Sequence, residues 1–131
     1  MTYLVDSHYV ADYLKGRSPA VSLLNTLVTD GLAISIITFA EVYEGIYYGY
    51  SPKRYSSIYR QFLRGVSVLA LTRSIAKQYA LLRGELARKG LLIDQPDLFI
   101  AATALYHDMT LVTANFRDYE RIPHLKLYRG K

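Results

Sequence analysis

Short, mostly apolar runs alternate along the chain with longer stretches whose apolar positions recur at helical spacing. The runs at 3–6, 32–37, 66–71, 110–113 and 125–128 have the length and side-chain types of strands. Helix signals lie between them. A short helix is predicted over 8–15, ending at Gly16. Ser18-Pro19 offers an N-cap ahead of an early helical proline, and Gly31 is placed to stop that helix. Thr38-Phe39-Ala40-Glu41 has capping-box spacing and predicts a helix from Thr38 to about Gly49. Ser51-Pro52 repeats the cap-and-proline device. Thr72 is placed to cap a long helix ending near Gly90, with Ile75, Tyr79, Leu82 and Leu86 on one stripe. Asp94 to Pro96 signal a further start, and Leu98 to Tyr106 is apolar enough to predict a buried helix. The expected order is β-α-α-β-α-α-β-α-α-β-α-β. Such alternation predicts an α/β fold: a mostly parallel central sheet covered by helices.

The chain of 131 residues is long enough for one domain with a real core, and no repeat or linker divides 1–131. Apolar residues make up 51% and charged residues 21%, which excludes a disordered chain. There is no cysteine, which excludes disulfides, thiolate catalysis and zinc–sulfur sites and fits a cytoplasmic location. No uninterrupted apolar run reaches the roughly 20 residues of a membrane helix. No basic stretch precedes an apolar core, so no signal peptide is expected. The net charge of +5 makes nucleic acid a plausible partner.

The acids change the picture. Asp6 ends the first strand-like run. Glu41 comes just after the second run. Asp97 lies in the first turn of the apolar helix, and Asn115 and Asp118 follow the fourth run. In an open parallel sheet the C-terminal strand ends share one edge, where ligands bind. Each acid has a bland explanation: capping for Glu41 and Asp94, the helix dipole for Asp97, a turn for Asp118. Their joint placement argues for more. Carboxylates gathered at one edge repel unless a cation lies among them, and hard oxygen donors suit Mg²⁺ or Mn²⁺. Such an ion lowers the pKa of a bound water and neutralises charge on a scissile phosphate. No G-x-S-x-G or Walker motif offers another chemistry. His8 is close enough to Asp6 to touch substrate. His107 and His124 are expected at the surface or in packing.

With these residues in place, the chain resembles the PIN-domain ribonucleases, in particular the VapC-type toxins of toxin–antitoxin pairs. Tyr3-Leu4-Val5-Asp6-Ser7-His8 resembles the opening strand motif. Ile36 to Gly45 resembles the second motif, with Glu41 as its acid. Asp97-Leu98-Phe99-Ile100-Ala101-Ala102-Thr103-Ala104 is similar to D-x-x-I-A-A-x-A. Leu111 to Tyr119 resembles the L-V-T-x-[ND]-x-x-D-[FY] close. The resemblance implies a single α/β/α sandwich and Mg²⁺- or Mn²⁺-dependent cleavage of RNA. It implies Asp6, Glu41, Asp97 and Asn115 at the metal, with Asp118 completing the catalytic set. It also implies a VapB-type antitoxin and a homodimer. His8 stands where the family has Asn, and Asn115 where some members have Asp. The rival readings are an RNA-processing PIN nuclease without a toxin role and a non-enzymatic PIN-like binding module.

Aromatics crowd residues 41–64. Tyr43, Tyr47 and Tyr50 would share a helical face, either as core or as a groove for a partner. Lys53, Arg54, Arg60 and Arg64 lie nearby in sequence. Arg73, Lys77, Arg83, Arg88 and Lys89 on the long helix offer a second basic surface, for RNA phosphates or simply for solvent.

Overall fold

Successive side chains of a strand point to opposite faces of its sheet, and the strands of this chain place apolar groups on both. In the computed structural model, which describes residues 2–130, Leu4, Ala33 and Leu111 pack on one side of the sheet. Their neighbours Val5, Ile34 and Val112 pack on the other. All six are 3% exposed or less, so the sheet is covered on both faces. This is why the strands read as continuous apolar runs rather than as alternating ones.

The sheet has five strands: β1 (Tyr3–Val5), β2 (Leu32–Ser35), β3 (Val66–Leu69), β4 (Thr110–Val112) and β5 (Lys126–Leu127). Their spatial order is β3-β2-β1-β4-β5, and every neighbouring pair is parallel. The helices are α1 (Ser7–Leu14), α2 (Ser18–Leu27), α3 (Ile36–Tyr48), α4 (Pro52–Leu63), α5 (Arg73–Arg88), α6 (Gln95–His107) and α7 (Phe116–Tyr119). The α1–α4 side carries one core, around Val10, Leu24, Val42 and Tyr59. The α5–α6 side carries the other, around Ile75, Leu82, Leu86 and Leu98. This is the expected α/β/α sandwich. From β1 the chain moves outward through β2 to β3, then returns to the other side of β1 for β4 and β5. The seam between β1 and β4 is therefore the switch point, where crossovers diverge and leave a crevice.

The helix starts differ from the sequence reading in an instructive way. Ser35, not Thr38, caps α3: its Oγ accepts from the Thr38 backbone N–H at 3.0 Å. The helix thus begins before Thr38, and β2 stops at Ser35. The sequence offered two hydroxyls three residues apart, and the one nearer the strand takes the orphan N–H. Glu41 then lies in the second turn of α3, too far along to close a capping box. Ser51 and Asp94 occupy N-cap positions without a side-chain cap bond, and Arg17 stands where Ser18 was expected. An early proline shapes those three starts. Thr72 caps α5 as expected, accepting from Ile75 N–H at 3.2 Å.

The aromatic stripe also divides. Tyr43 and Tyr59 meet edge to face with their centroids 4.8 Å apart, and Tyr59 is fully buried. Tyr47 is 68% exposed, and Tyr50 lies beyond the end of α3.

Replacing Ser35 by Ala removes the cap and strands a buried N–H. Urea unfolding should report a loss of about 1 kcal/mol; an unchanged midpoint would place the cap elsewhere.

Candidate active site

Asp6 is the residue at which β1 becomes α1. Its backbone N–H donates to Val112 O of β4 at 3.1 Å, continuing the sheet by one bond. Its side chain caps α1, accepting from Tyr9 N–H at 3.1 Å. Its other carboxylate oxygen accepts from the Thr113 hydroxyl just beyond β4. The carboxylate is therefore clamped across the β1–β4 seam and is 7% exposed. Burial raises its pKa above the ordinary aspartate value, opposed by the Thr113 and Tyr9 hydrogen bonds.

Glu41 reaches the same place from α3. The Ser7 hydroxyl donates to Glu41 Oε1 and lies 3.3 Å from Thr38 Oγ1, tying the N-terminus of α1 to α3. Asp97 arrives from the first turn of α6. Its pKa is raised to about 6, first by burial and then by the negative charges of Glu41 and Asp94, with a smaller push from Asp6. Three acids from three segments of chain thus sense one another. Asp6, Glu41 and Asp97 line a single cavity of about 1190 Å³, together with Ser7, His8 and Asn115.

The remaining sequence-selected residues fall into distinct roles. Asn115 caps α7 and pairs with Asp118: its Nδ2 donates to Asp118 Oδ2 at 3.1 Å. Asp118 is also held by Arg121 at 3.7 Å and is absent from the cavity lining. Asp94 makes no cap bond and stands in exposed surface, acting on Asp97 through its charge. His8 lies on the cavity rim, 4.0 Å from Asp12. His107 and His124 are exposed.

Four residues at the site were missed from sequence. Ser7 and Thr113 orient the acids through hydroxyl hydrogen bonds, and the Thr38 hydroxyl lies 3.3 Å from that of Ser7. Tyr119 is 1% exposed, and its hydroxyl is turned toward Asp97, close enough to lower that residue's pKa. Yet it is the buried side-chain polar atom among the described residues that has no partner at bonding distance. The available signal was position: each lies within a segment already marked by an acid.

The arrangement suits a divalent cation in its donor chemistry. The three carboxylates are hard oxygen ligands, and none has a Lys or Arg partner among the described residues. Uncompensated acids facing one cavity in a chain of net charge +5 call for positive charge from elsewhere. No three of the described acids or histidines stand at metal-ligand spacing.

The PIN domain family model matches residues 3–125. The chain belongs to the PIN-domain family. Among curated relatives, "Ribonuclease VapC2" of Rickettsia felis is 32% identical over 131 residues, covering 97% of this chain and 96% of that one. The "tRNA(fMet)-specific endonuclease VapC" of Salmonella typhimurium is 28% identical, covering 97% and 96%. Among solved structures, VapBC2 of Rickettsia felis bound to a promoter DNA fragment matches with a TM-score of 0.91 and 29% identity, over 100% of both chains. DNA-bound VapBC of Salmonella typhimurium matches with a TM-score of 0.89 and 26% identity, over 98% and 97%.

Two outcomes follow for this PIN domain. Because the folded pKa of Asp97 lies above its unfolded value of 3.8, the protonated form is favoured by folding. That contribution is full below pH 3.8 and is lost as pH rises through about 6. In thermal melts without metal, Asp97→Asn should therefore be more stable than the parent at pH 7.5 and indistinguishable at pH 3.5. An equal gap at both pH values would mean that Asp97 is not strained by its neighbours. Tyr119→Phe keeps the ring and removes the unpaired hydroxyl. It should stabilise the metal-free protein by about 1 kcal/mol in urea unfolding; destabilisation would reveal a bond that the hydroxyl makes.

Proposed function

We propose that this PIN domain is a divalent-metal-dependent endoribonuclease, hydrolysing RNA phosphodiester bonds, and the toxin of a toxin–antitoxin pair. One observation carries the reading: Asp6, Glu41 and Asp97 come from three separate segments to one cavity at the sheet's switch point. Relatives described as ribonucleases and neighbours described as VapBC support it. By the same likeness, the partners are RNA, a VapB-type antitoxin and a second copy of the chain. No helix is long and apolar enough to cross a membrane among the described residues.

Asp6, Glu41 and Asp97 would hold Mg²⁺ or Mn²⁺, with the Asn115 amide oxygen as a neutral fourth ligand. The bound ion would neutralise charge at the scissile phosphate and acidify a water. The protein's share is orientation. Thr113 and Tyr9 N–H fix the Asp6 carboxylate, and Ser7 aims Glu41. Asp118 sets the Asn115 amide. Partners that hold a ligand in place are worth about 10- to 100-fold in metal affinity or activity. Asp97 must be ionised to bind, so metal affinity should fall as pH drops below about 6.

Calorimetric titration with Mn²⁺ at pH 7.5 tests the site without knowledge of the RNA. The parent should bind, and Asp97→Asn should bind far more weakly and lose RNA cleavage by about a hundredfold or more while remaining folded. A fully active Asp97→Asn protein would sink the assignment. Growth arrest on expression, relieved by a neighbouring small antitoxin gene, separates the toxin from an RNA-processing enzyme.

A further inference from the structure

The cavity is longer than the acidic site needs. Glu41, Gly45, Tyr48 and Gly49 all line it; on α3 the first three stand at i, i+4 and i+7, one face of the helix, and Gly49 is its C-cap. Seven residues of helix carry this face about 10 Å away from Glu41. Gly45 is mid-helix, where glycine is destabilising relative to alanine by roughly 0.5–1 kcal/mol. A Cβ there would meet nothing within 4 Å. Packing therefore does not demand glycine, and the missing side chain leaves the surface between Glu41 and Tyr48 open. Beyond that floor stand Tyr48, 86% exposed, and Tyr50, 89% exposed. Lys15 also lines the cavity, just past the end of α1, and has no carboxylate partner among the described residues. Glu44 also lines the cavity and, like Lys15, is exposed.

We infer that this trough is a track for single-stranded RNA, in which nucleotides flanking the cleavage position lay their bases on Tyr48 and Tyr50 and a phosphate beside Lys15. The inference rests on the ribonuclease reading. Acids at one end suit a metal and the scissile phosphate; bare aromatic faces and a free cation at the other suit a stacked strand and its backbone. A basic peptide would be held by the acids but would leave Lys15 unmatched. Stacking tolerates any base, so the track sets how many flanking nucleotides are gripped rather than which sequence is cut.

The test uses a fluorescein-labelled 12-nucleotide single-stranded RNA of mixed sequence. Its binding is read by anisotropy in an Asp97→Asn background, so that nothing is cleaved. Tyr48→Ala/Tyr50→Ala should weaken binding about tenfold or more. Tyr48→Phe/Tyr50→Phe, which keeps both rings, should bind like the background protein. Gly45→Leu, which fills the floor, should also weaken binding. With Asp97 present, all of these variants should keep parental Mn²⁺ affinity by calorimetry. Unchanged RNA affinity in the folded alanine variant overturns the track and leaves the nuclease standing. If that variant instead turns a dimer into a monomer in light scattering with RNA affinity intact, the surface belongs to a second copy and the inference fails. If even the background protein fails to bind RNA while the parent binds Mn²⁺, the ribonuclease reading falls and the track with it.

Discussion

The clamp on Asp6 is the constraint around which the site is organised. Its backbone bonds to β4, one carboxylate oxygen caps α1, and the other is held by Thr113. One residue thus joins the central strand, its neighbour and the first helix. A buried carboxylate costs free energy unless it is hydrogen-bonded. These bonds offset that cost and leave the group at the floor of the cavity. The seam between β1 and β4 is where opposite crossovers leave space above the sheet, so the clamp also decides where the site lies.

Gathering Glu41 and Asp97 at that point works against stability. The raised pKa of Asp97 registers this strain, caused by burial and by neighbouring negative charge. The fold tolerates it because the supports are rigid. The residues that follow Asp97 on α6 include Leu98 and Ile100 to Ala104, all buried. Glu41 follows the buried Thr38 on a helix capped by the buried Ser35. The acids are held by elements whose apolar faces cannot turn away without exposing the core. The buried Tyr119 hydroxyl, turned toward Asp97, lowers that residue's pKa and so relieves part of the strain.

Much of the fold was legible because it rests on local rules. Apolar runs buried on both faces mark parallel strands, and the order of strands and helices followed from their alternation. The helix starts were less legible where several polar residues competed for one cap. Ser35 and Thr38 are both good caps, and only the point at which β2 leaves the sheet selects Ser35. That choice matters, since it moves Glu41 out of the capping position that would have explained it away. Tyr43, Tyr47 and Tyr50 looked equivalent by spacing. They differ because α4 covers Tyr43 with Tyr59, while α3 ends before Tyr50.

The sequence by itself determined which residues are candidates for the chemistry: oxygen donors at strand ends and helix starts, in a basic chain without thiols. It determined the family through four ordered motifs. Tertiary structure decided which of those donors meet. Asp6, Glu41, Asp97 and Asn115 reach one cavity, while Asp118 turns to Asn115 and Arg121. The difference is physical. Donor type and strand position are properties of a residue and its near neighbours. Convergence depends on strand order, crossover direction and the hydroxyls of Ser7 and Thr113, contacts spanning 34 and 107 residues that no local pattern encodes.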